Sequence, residues 1–311
     1  MKLIFCGTPQ FAVPTLEHLV RAGYEVPLVV TQPDRPKGRG GELAAPPVKQ
    51  AAQALELRVI QPEKIKQNAE FRAELEAARP RAIIVVGYGR IIPQWMIDLP
   101  ALGNLNVHAS LLPKYRGAAP IQWAIANGEA VTGVTTMRID AGLDTGDILL
   151  QAAMPIRASD TAVTLGPRLA ELGAALLIET LQRLDAGTLT PTPQDHPQAS
   201  LAPILKKEDG LVDWRRSAMD TWNRFRGFQP WPGAYTSFRG KGLQITDARP
   251  AHESSKLAPG EMAVADRKLL VGCGAESALE VLELQPEGKK RMGVGDFVNG
   301  YRPQAGERLG G

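Results

Sequence analysis

The spacing of apolar and polar positions switches repeatedly between a strand period and a helix period in the first half of the chain. Short apolar runs rich in Ile and Val predict buried strands at residues 2–5, 26–31 and 83–86. Between them, apolar residues at helical spacing predict helices at 14–22 and 68–78. Strands that alternate with helices are typical of an open, mainly parallel α/β sheet.

Two alternating runs and one long helix complete this half. Residues 132–139 and 146–156 alternate apolar and polar side chains, which predicts two neighbouring strands. A helix is predicted from a cap at Asp160 to residue 184, because leucines follow one face at core spacing. Shorter elements are predicted in the same way, namely helices at 46–57 and 119–126 and a strand at 58–61.

A stretch rich in proline and threonine separates this half from the C-terminal part. It has no apolar period, so the sequence predicts a domain of residues 1–188, a linker at 189–205 and a second domain at 206–311. Short strands with turn signals recur in the second domain, after a short helix from about Ser217, and indicate a small β-barrel of the OB type. These strands are predicted at 234–238, 242–248, 261–264, 268–271 and 278–284.

Composition changes this picture little. A net charge of +3 over 311 residues is too small to indicate a nucleic-acid partner by itself. The two cysteines, Cys6 and Cys273, have neither metal-binding nor redox spacing, which fits a reducing cytoplasm and a site without metal. The N-terminus carries no secretory signal, and no apolar run is long enough to span a membrane. No feature fixes the oligomeric state, and we expect a monomer.

Candidate chemistry is concentrated on the strand that contains Asn106 and His108. These two polar side chains lie on one face of the strand, about 6.6 Å apart, while Leu105 and Val107 point the other way. An amide can donate to an oxygen that gains charge, and an imidazole can both donate and accept. The pair therefore suits addition to a carbonyl, followed by collapse of a tetrahedral intermediate.

A carboxylate for proton transfer is predicted in the segment from Asp140 to Asp147. Three Asp and two Gly within eight residues indicate a sharply turning loop between the two alternating strands. Taken singly, His108 could be a core histidine and the Asp residues turn formers. The order of the motifs favours a site instead.

Two further segments are candidate binding sites. Residues 32–41 combine proline and glycine with Arg35, Lys37 and Arg39, and we expect an exposed loop with neither helix nor strand. Spaced cations suit phosphate capture, although a solvated surface loop has the same composition. Residues 87–92 follow a buried strand with a glycine-rich loop, which suits a flat heterocycle that needs both amide hydrogen bonds and apolar cover.

These residues carry a resemblance to the 10-formyltetrahydrofolate-dependent formyltransferases. It extends over essentially the whole chain and is most specific in four motifs of the first half. They are Asn106-x-His108, Ser110-Leu-Leu-Pro113, Arg116-Gly-Ala-Ala-Pro-Ile-Gln122 and Asp140-x-Gly-x-Asp-Thr-Gly-Asp147. In the second half it rests on residues 226–234, 284–292 and 296–300. Two departures are Lys114-Tyr115 in place of the usual Arg-Trp, and Gly87 in place of a commoner Ala.

The resemblance implies a fold, a catalytic trio and two substrates. The fold is a Rossmann-like open sheet followed by a small OB-like β-barrel domain, and the trio is Asn106, His108 and Asp144. The implied formyl donor is 10-formyltetrahydrofolate, and the implied acceptor is initiator methionyl-tRNA. The residues assigned to the folate are Ser110, Leu111, Leu112, Pro113, Gly87, Tyr88, Gly89, Ile92 and Asp140. Those assigned to tRNA are Arg35, Lys37, Arg39, Lys289, Lys290 and Arg291.

Other functions remain open on the sequence alone. A formyltransferase that acts on a sugar nucleotide or another small amine would share the trio but would not need the basic segments. A formyltetrahydrofolate hydrolase is disfavoured because its usual regulatory domain should precede the catalytic strand. A non-catalytic RNA-binding protein is disfavoured by the intact trio. A dehydrogenase is disfavoured because the glycine fingerprint of dinucleotide-binding folds is absent.

Overall fold

The computed structural model describes residues 1–37, 42–265, 268–304 and 306–310. The chain divides into two compact units, and each is built from more than one segment. The first consists of Met1–Pro120, Val131–Pro155 and Leu165–Pro203, and the second of Ile121–Ala130, Ile156–Thr164 and Ile204–Gly311. In the described part of the chain, no helix has the length and apolar character needed to cross a membrane.

The first unit is built on a seven-stranded sheet with the order β5-β2-β1-β6-β7-β8-β9. Strands β5 to β7 along this order are parallel, and the last two pair antiparallel. Its strands in chain order, together with the separate pair β3 and β4, are β1 (Lys2–Gly7), β2 (Glu25–Val30), β3 (Arg35–Lys37), β4 (Glu42–Ala44), β5 (Val59–Ile60), β6 (Ala82–Val86), β7 (Asn104–His108), β8 (Val131–Arg138) and β9 (Ile148–Pro155). This arrangement confirms the predicted Rossmann-like open sheet.

The helices form where apolar spacing predicted them, with two additions. In chain order they are α1 (Val13–Arg21), α2 (Pro47–Ala54), α3 (Ala69–Ala78), α4 (Gln94–Ile97), α5 (Pro120–Ala126), α6 (Ala162–Asp185), α7 (Ala218–Gly227) and α8 (Val294–Tyr301). Apolar spacing did not predict α4, which is only four residues long, or α8, which contains glycine. Asn68 caps α3 by accepting a hydrogen bond from the Phe71 amide, as its residue type favours.

Packing of α6 determines which face of β7 is free. Leu105 and Val107 are buried on one face of the strand. A Cβ on Gly173 of α6 would lie 2.7 Å from Cγ1 of Val107, so only glycine permits this close approach. Since side chains alternate along a strand, Asn106 and His108 lie on the opposite face.

Residues 35–37 depart from the predicted loop, and residues 38–41 of the same segment lie outside the described part of the chain. Arg35–Lys37 and Glu42–Ala44 pair as a short antiparallel two-stranded sheet, with Arg35 opposite Ala44 and Pro36 opposite Leu43. The expectation that this composition excludes strand was wrong for β3. A two-stranded edge ribbon tolerates proline where its missing N–H is not needed.

The second unit contains an antiparallel sheet with the order β10-β11-β14-β13-β12, and β15 pairs with β14. The strands are β10 (Ala234–Phe238), β11 (Lys241–Pro250), β12 (Met262–Ala265), β13 (Lys268–Cys273), β14 (Ser277–Pro286) and β15 (Met292–Gly293). The five predicted strands are all present. Phe228 is buried, whereas Trp231 has 54% of its surface exposed because it lies in a turn before β10.

The segment predicted as a linker lies mostly in the first unit, which extends to Pro203. The Arg116 amide donates to the carbonyl oxygen of Ser200, and the Ala202 amide donates to that of Arg116. An extended segment with no apolar period can still be fixed by backbone hydrogen bonds, and the sequence pattern does not reveal such pairing.

Candidate active site

Asn106 and His108 lie on β7, in the middle of the first unit's sheet. Asn106 pairs with Val85 of parallel strand β6 on one side and with Met137 of antiparallel strand β8 on the other. His108 is opposite Thr135 and is only 6% exposed. Two neighbouring strands thus fix both backbones, and the two side chains share a face as predicted.

The imidazole of His108 is oriented by a backbone carbonyl. Its Nε2 lies 2.9 Å from the carbonyl oxygen of Tyr115, which can only accept, so Nε2 carries the proton. The remaining nitrogen, Nδ1, faces Asp144 and lies 3.7 Å from Oδ2 of that carboxylate. This separation exceeds a hydrogen bond, so both groups can contact a third atom placed between them.

Asp144 is held in the same place by two donors. Its Oδ2 accepts a hydrogen bond of 2.8 Å from the Gly117 amide, and its Oδ1 lies 3.5 Å from Nδ2 of Asn106. Its backbone has φ of +51°, an unusual conformation for a residue with a side chain. The structure therefore brings all three predicted catalytic residues together.

The loop that carries Asp144 folds back from the end of β8. Arg138 is opposite Leu105, so the chain leaves β8 beside the start of β7 and must return to reach Asn106 and His108. Gly146 permits this turn, because a Cβ there would overlap the carbonyl oxygen of Arg138. Asp140 closes the other side of the loop, accepting hydrogen bonds from the Gly142 amide at 3.0 Å and from the Thr145 hydroxyl at 2.7 Å.

Residues 110–113 are fixed mainly through their backbone. Ser110 is fully buried, and its hydroxyl donates to the carbonyl oxygen of Lys114 at 2.6 Å. The Leu112 amide donates to the hydroxyl of Thr135, and the Leu112 carbonyl accepts from Nε2 of Gln151. Leu111 and Pro113 are partly exposed, so they are the members of this group whose side chains a ligand can reach.

The glycine-rich loop after β6 has the predicted backbone freedom. Gly87 and Gly89 have φ of +55° and +75°, and a Cβ on Gly87 would lie 2.8 Å from Cγ of Pro9. Tyr88 between them packs into the core, and burial raises the pKa of its phenol, so the loop offers mainly backbone groups at this position. Ile92 is partly exposed and packs against the same core.

Buried polar atoms beside this loop fit a polar ligand. Gln32 donates through Nε2 to the carbonyl oxygens of Tyr88 and Gly89, at 3.0 and 3.4 Å. Its Oε1 and the Nε atom of Arg90 are buried without a hydrogen-bond partner among the described residues. An acceptor and a donor left open next to flexible glycine backbone are what a heterocycle such as a pterin requires.

Sequence reasoning missed several residues that build this site. Gln32 lies two residues beyond the end of β2, and the rule that ligands bind near the carboxyl ends of parallel strands could have found it. Tyr115 and Gly117 contribute only a carbonyl and an amide, which no side-chain signal reveals. In the described part of the chain, no cluster of His, Cys, Asp and Glu could hold a metal ion.

The first of the predicted tRNA residues, Arg35, follows Asp34, whose carboxylate is fixed by hydrogen bonds. Lys49 binds both oxygens of Asp34, at 3.0 and 2.7 Å, and Gln61 donates to Oδ1 at 2.7 Å. The hydrogen bonds from Gln61 and Lys49 lower the pKa of Asp34. Arg35 follows on β3 and is exposed, whereas the side chain of Lys37 and the whole of Arg39 lie outside the described residues.

The predicted tRNA residues of the second unit lie in the turn between β14 and β15. Lys289, Lys290 and Arg291 are all exposed. Arg291 Nε lies 3.3 Å from Oε2 of Glu283, which partly neutralises that position. This turn presents three adjacent cations to solvent.

Comparison with known families identifies both halves of the chain. A family model described as Formyl transferase matches residues 1–181, and one described as Formyl transferase, C-terminal domain, matches residues 204–302. Proteins named methionyl-tRNA formyltransferase from Koribacter versatilis (strain Ellin345) and Acidobacterium capsulatum are 68% and 62% identical to this chain. Both alignments cover 100% of this chain, and they cover 99% and 100% of those proteins. These matches confirm the predicted resemblance.

Solved structures share the fold at low identity. An N-formyltransferase from Helicobacter canadensis, in complex with folinic acid and dTDP-3-aminofucose, has a TM-score of 0.67 at 20% identity, over 92% of this chain and 99% of that one. HypX from Aquifex aeolicus, in complex with tetrahydrofolic acid, has a TM-score of 0.63 at 19% identity, over 99% of this chain and 48% of that one. At these identities the likeness concerns the fold alone.

Proposed function

The chain belongs to the formyl transferase family, and we propose that it transfers the formyl group of 10-formyltetrahydrofolate to the amino group of methionine on initiator tRNA. The reaction is a balanced group transfer. The amine nitrogen attacks the formyl carbon and forms a C–N bond, the bond from that carbon to N10 of the folate breaks, and the proton lost by the amine ends on N10.

Three side chains of this chain have different roles in the proposed reaction. Asn106 Nδ2 donates to the formyl oxygen as it gains charge. His108 donates to the same oxygen from Nδ1, and it can do so only when doubly protonated, because Nε2 already donates to Tyr115. Asp144 accepts the amine proton and passes it toward N10. The observation that carries this proposal is the convergence of the Asp144 carboxylate on both other groups, within 3.5 Å of Asn106 and 3.7 Å of His108.

The folate site is proposed at the loop of residues 87–92, next to Gln32. The pterin would use the open Oε1 of Gln32 and the open Nε of Arg90, together with backbone groups of Gly87 and Gly89.

The other predicted folate residues would supply apolar cover or fix the backbone of the site. Apolar cover would come from Leu111, Pro113 and Ile92, and Asp140 would hold the loop next to the reacting end of the folate. Ser110, Leu112 and Tyr88 would act through their fixed backbone, since their side chains are buried.

Methionyl-tRNA is favoured as the acceptor over a sugar nucleotide. The relatives at 68% and 62% identity over the whole chain carry that activity in their names, whereas the sugar formyltransferase from Helicobacter canadensis is only 20% identical. Two groups of cations would supply sequence-independent contacts to phosphate, one at Arg35, Lys37 and Arg39 and the other at Lys289, Lys290 and Arg291. In this proposal the first unit performs the chemistry, the second adds tRNA contacts, and the chain acts as a monomer in the cytoplasm, where charged initiator tRNA is used.

The test is transfer of a labelled formyl group from 10-formyltetrahydrofolate to purified acceptors. We expect formylation of methionyl initiator tRNA, and at most trace formylation of methionyl elongator tRNA or of a dTDP-amino sugar. If the amino sugar were formylated faster than methionyl initiator tRNA, the acceptor would be an amino sugar and not the proposed tRNA. No transfer to any amine would overturn the activity itself.

A further inference from the structure

Gln194 is a buried side chain of the predicted linker that contacts the loop bearing Asp144. It is 5% exposed, although proline and threonine dominate its sequence surroundings. Its Nε2 donates to the carbonyl oxygens of Asp144 and Gly146, at 2.9 and 2.7 Å. One amide group thus fixes the backbone on both sides of Thr145.

The other end of the Gln194 amide is fixed by Arg116. The guanidinium of Arg116 donates to Oε1 of Gln194 through Nε at 3.1 Å and through Nη2 at 2.7 Å. The same Nη2 lies 3.0 Å from Nδ1 of His196, which must accept because arginine only donates. Arg116 is 7% exposed, so these bonds form away from bulk water, where they are stronger.

Arg116 lies between the two backbone groups that orient the catalytic side chains. The residue before it, Tyr115, accepts the hydrogen bond from His108, and the residue after it, Gly117, donates to Asp144. A single chain of hydrogen bonds therefore runs from the Asp144 backbone through Gln194 and Arg116 to the segment that holds both His108 and the Asp144 carboxylate.

We propose that Gln194 and Arg116 are positioning residues that set the location of Asp144 relative to Asn106 and His108. Neither touches the reacting atoms. Asp144 has positive φ and lies in a loop that must fold back from β8, so its backbone would relax without the two bonds from Gln194. The proposal rests on the catalytic role proposed for Asp144.

Glutamine is the side chain that can donate to the carbonyls of Asp144 and Gly146 and accept from Arg116 at the same time. A glutamate of the same size would keep the contact with Arg116 but could not donate to the carbonyls of Asp144 and Gly146. It would also place a carboxylate against two carbonyl oxygens. An alanine would remove all of these hydrogen bonds and leave the Arg116 guanidinium without the oxygen that accepts from two of its nitrogens.

The first experiment uses Gln194→Ala and Gln194→Glu, with Gln198→Glu as control, since Gln198 is exposed on the same segment. Amide hydrogen exchange of Gly117 reports whether the Asp144 carboxylate remains in place, independently of any activity. We expect both Gln194 variants to exchange this amide at least about 10-fold faster than wild type while Gln198→Glu matches wild type. Unchanged Gly117 exchange in both Gln194 variants would overturn the proposal, whatever the acceptor of the enzyme proves to be.

The second experiment measures formyl transfer to methionyl-tRNA. We expect kcat to fall about 10- to 100-fold in both Gln194 variants, with KM for tRNA changed less than about threefold, because only the geometry of the reacting groups is altered. In the Asp144→Asn background, Gln194→Glu should cause no further loss, since Gln194 acts through that carboxylate. Multiplicative losses in the double variant, or an equal rise in KM, would contradict the positioning role.

Discussion

The carbonyl oxygen of Tyr115 accepts a hydrogen bond of 2.9 Å from Nε2 of His108, so the ring is oriented by backbone and not by a carboxylate. Asp144 faces the other nitrogen at 3.7 Å and is itself held by the Gly117 amide. His108 and Asp144 are therefore held by two different backbone groups. Removing the charge of Asp144 should leave His108 where it is, which separates chemical effects of substitution from displacement of the ring.

Asp144→Asn tests this separation. An asparagine can keep the hydrogen bond from Gly117 but cannot accept the amine proton, so we expect formyl transfer to slow at least about 100-fold. Single-turnover transfer measures the loss, and nitrogen chemical shifts of His108 should still report a proton on Nε2. If tRNA affinity fell by as large a factor as the rate, Asp144 would be structural.

Asn106→Ala tests the proposed oxygen donor, with a control on the same strand. Loss of one such donor should lower the rate about 100- to 1000-fold with little change in tRNA binding. Asn104 is fully buried and donates to the carbonyls of Met96 and Ile97, so Asn104→Ala should cost about 1–2 kcal/mol of stability yet leave the rate of folded enzyme unchanged. Similar rates for the two variants would remove Asn106 from the proposed mechanism.

Most of the catalytic centre could be predicted because its signals are local. Asn106 and His108 are two positions apart on a strand, and strand geometry alone places them on one face. The Asp and Gly content of residues 140–147 identifies the loop between β8 and β9 without any knowledge of its conformation. The strands and most helices follow from apolar period in the same way.

The remaining parts of the site depend on contacts between distant segments. Gln194 binds the Asp144 carbonyl 50 residues away and Arg116 78 residues away, and its neighbours in sequence give no sign of either bond. The pairing of β3 with β4 was missed because proline and charge dominate the local composition, whereas the pairing is set by backbone hydrogen bonds. Extended polar segments acquire structure from partners that a local pattern does not contain.

Neutralising Arg35, Lys37 and Arg39 together tests the basic segment. We expect weaker tRNA binding and a shallower dependence of log K on log salt, with a slope reduced by about 0.7–0.9 for each phosphate that is no longer neutralised. A charge-matched variant at the exposed residues Arg21, Lys64 and Lys66 serves as control. Equal salt slopes for the two triple variants would show that the basic segment is a solvated surface.

Gly87→Ala tests the conformation of the proposed folate loop. A Cβ at φ of +55° costs about 1–2 kcal/mol, and here it would also lie 2.8 Å from Pro9. Gly23→Ala is the matched control, because Gly23 has φ of +78° but open space around its Cβ. We expect only Gly87→Ala to raise KM for the folate. An unchanged KM would mean that the loop relaxes away from positive φ without cost to binding.

The cross-strand pair of Arg249 and Glu280 predicts a pH-dependent stability of the second unit. The two residues are directly opposite on β11 and β14, with bonds of 2.8 Å and 3.1 Å from the guanidinium to a carboxylate that is 9% exposed. The hydrogen bond from Arg249 lowers the pKa of Glu280. Stability from the pair is therefore fully present above the unfolded pKa of glutamate, about 4.3, and is lost as pH falls through the folded pKa.

Arg249→Met removes the partner and leaves a buried carboxylate, so we expect a loss of about 1–2 kcal/mol at pH 7 in urea unfolding. This difference from wild type should shrink as the pH falls through the lowered folded pKa of Glu280, and it should vanish once Glu280 is protonated in both proteins. Adding Glu280→Gln should restore part of the loss at pH 7, because an uncharged amide costs less to bury than an unpaired carboxylate. A loss that stayed constant from pH 7 to pH 3, and that Glu280→Gln did not relieve, would show that Arg249 stabilises the sheet through the packing of its aliphatic stem and not through its charge.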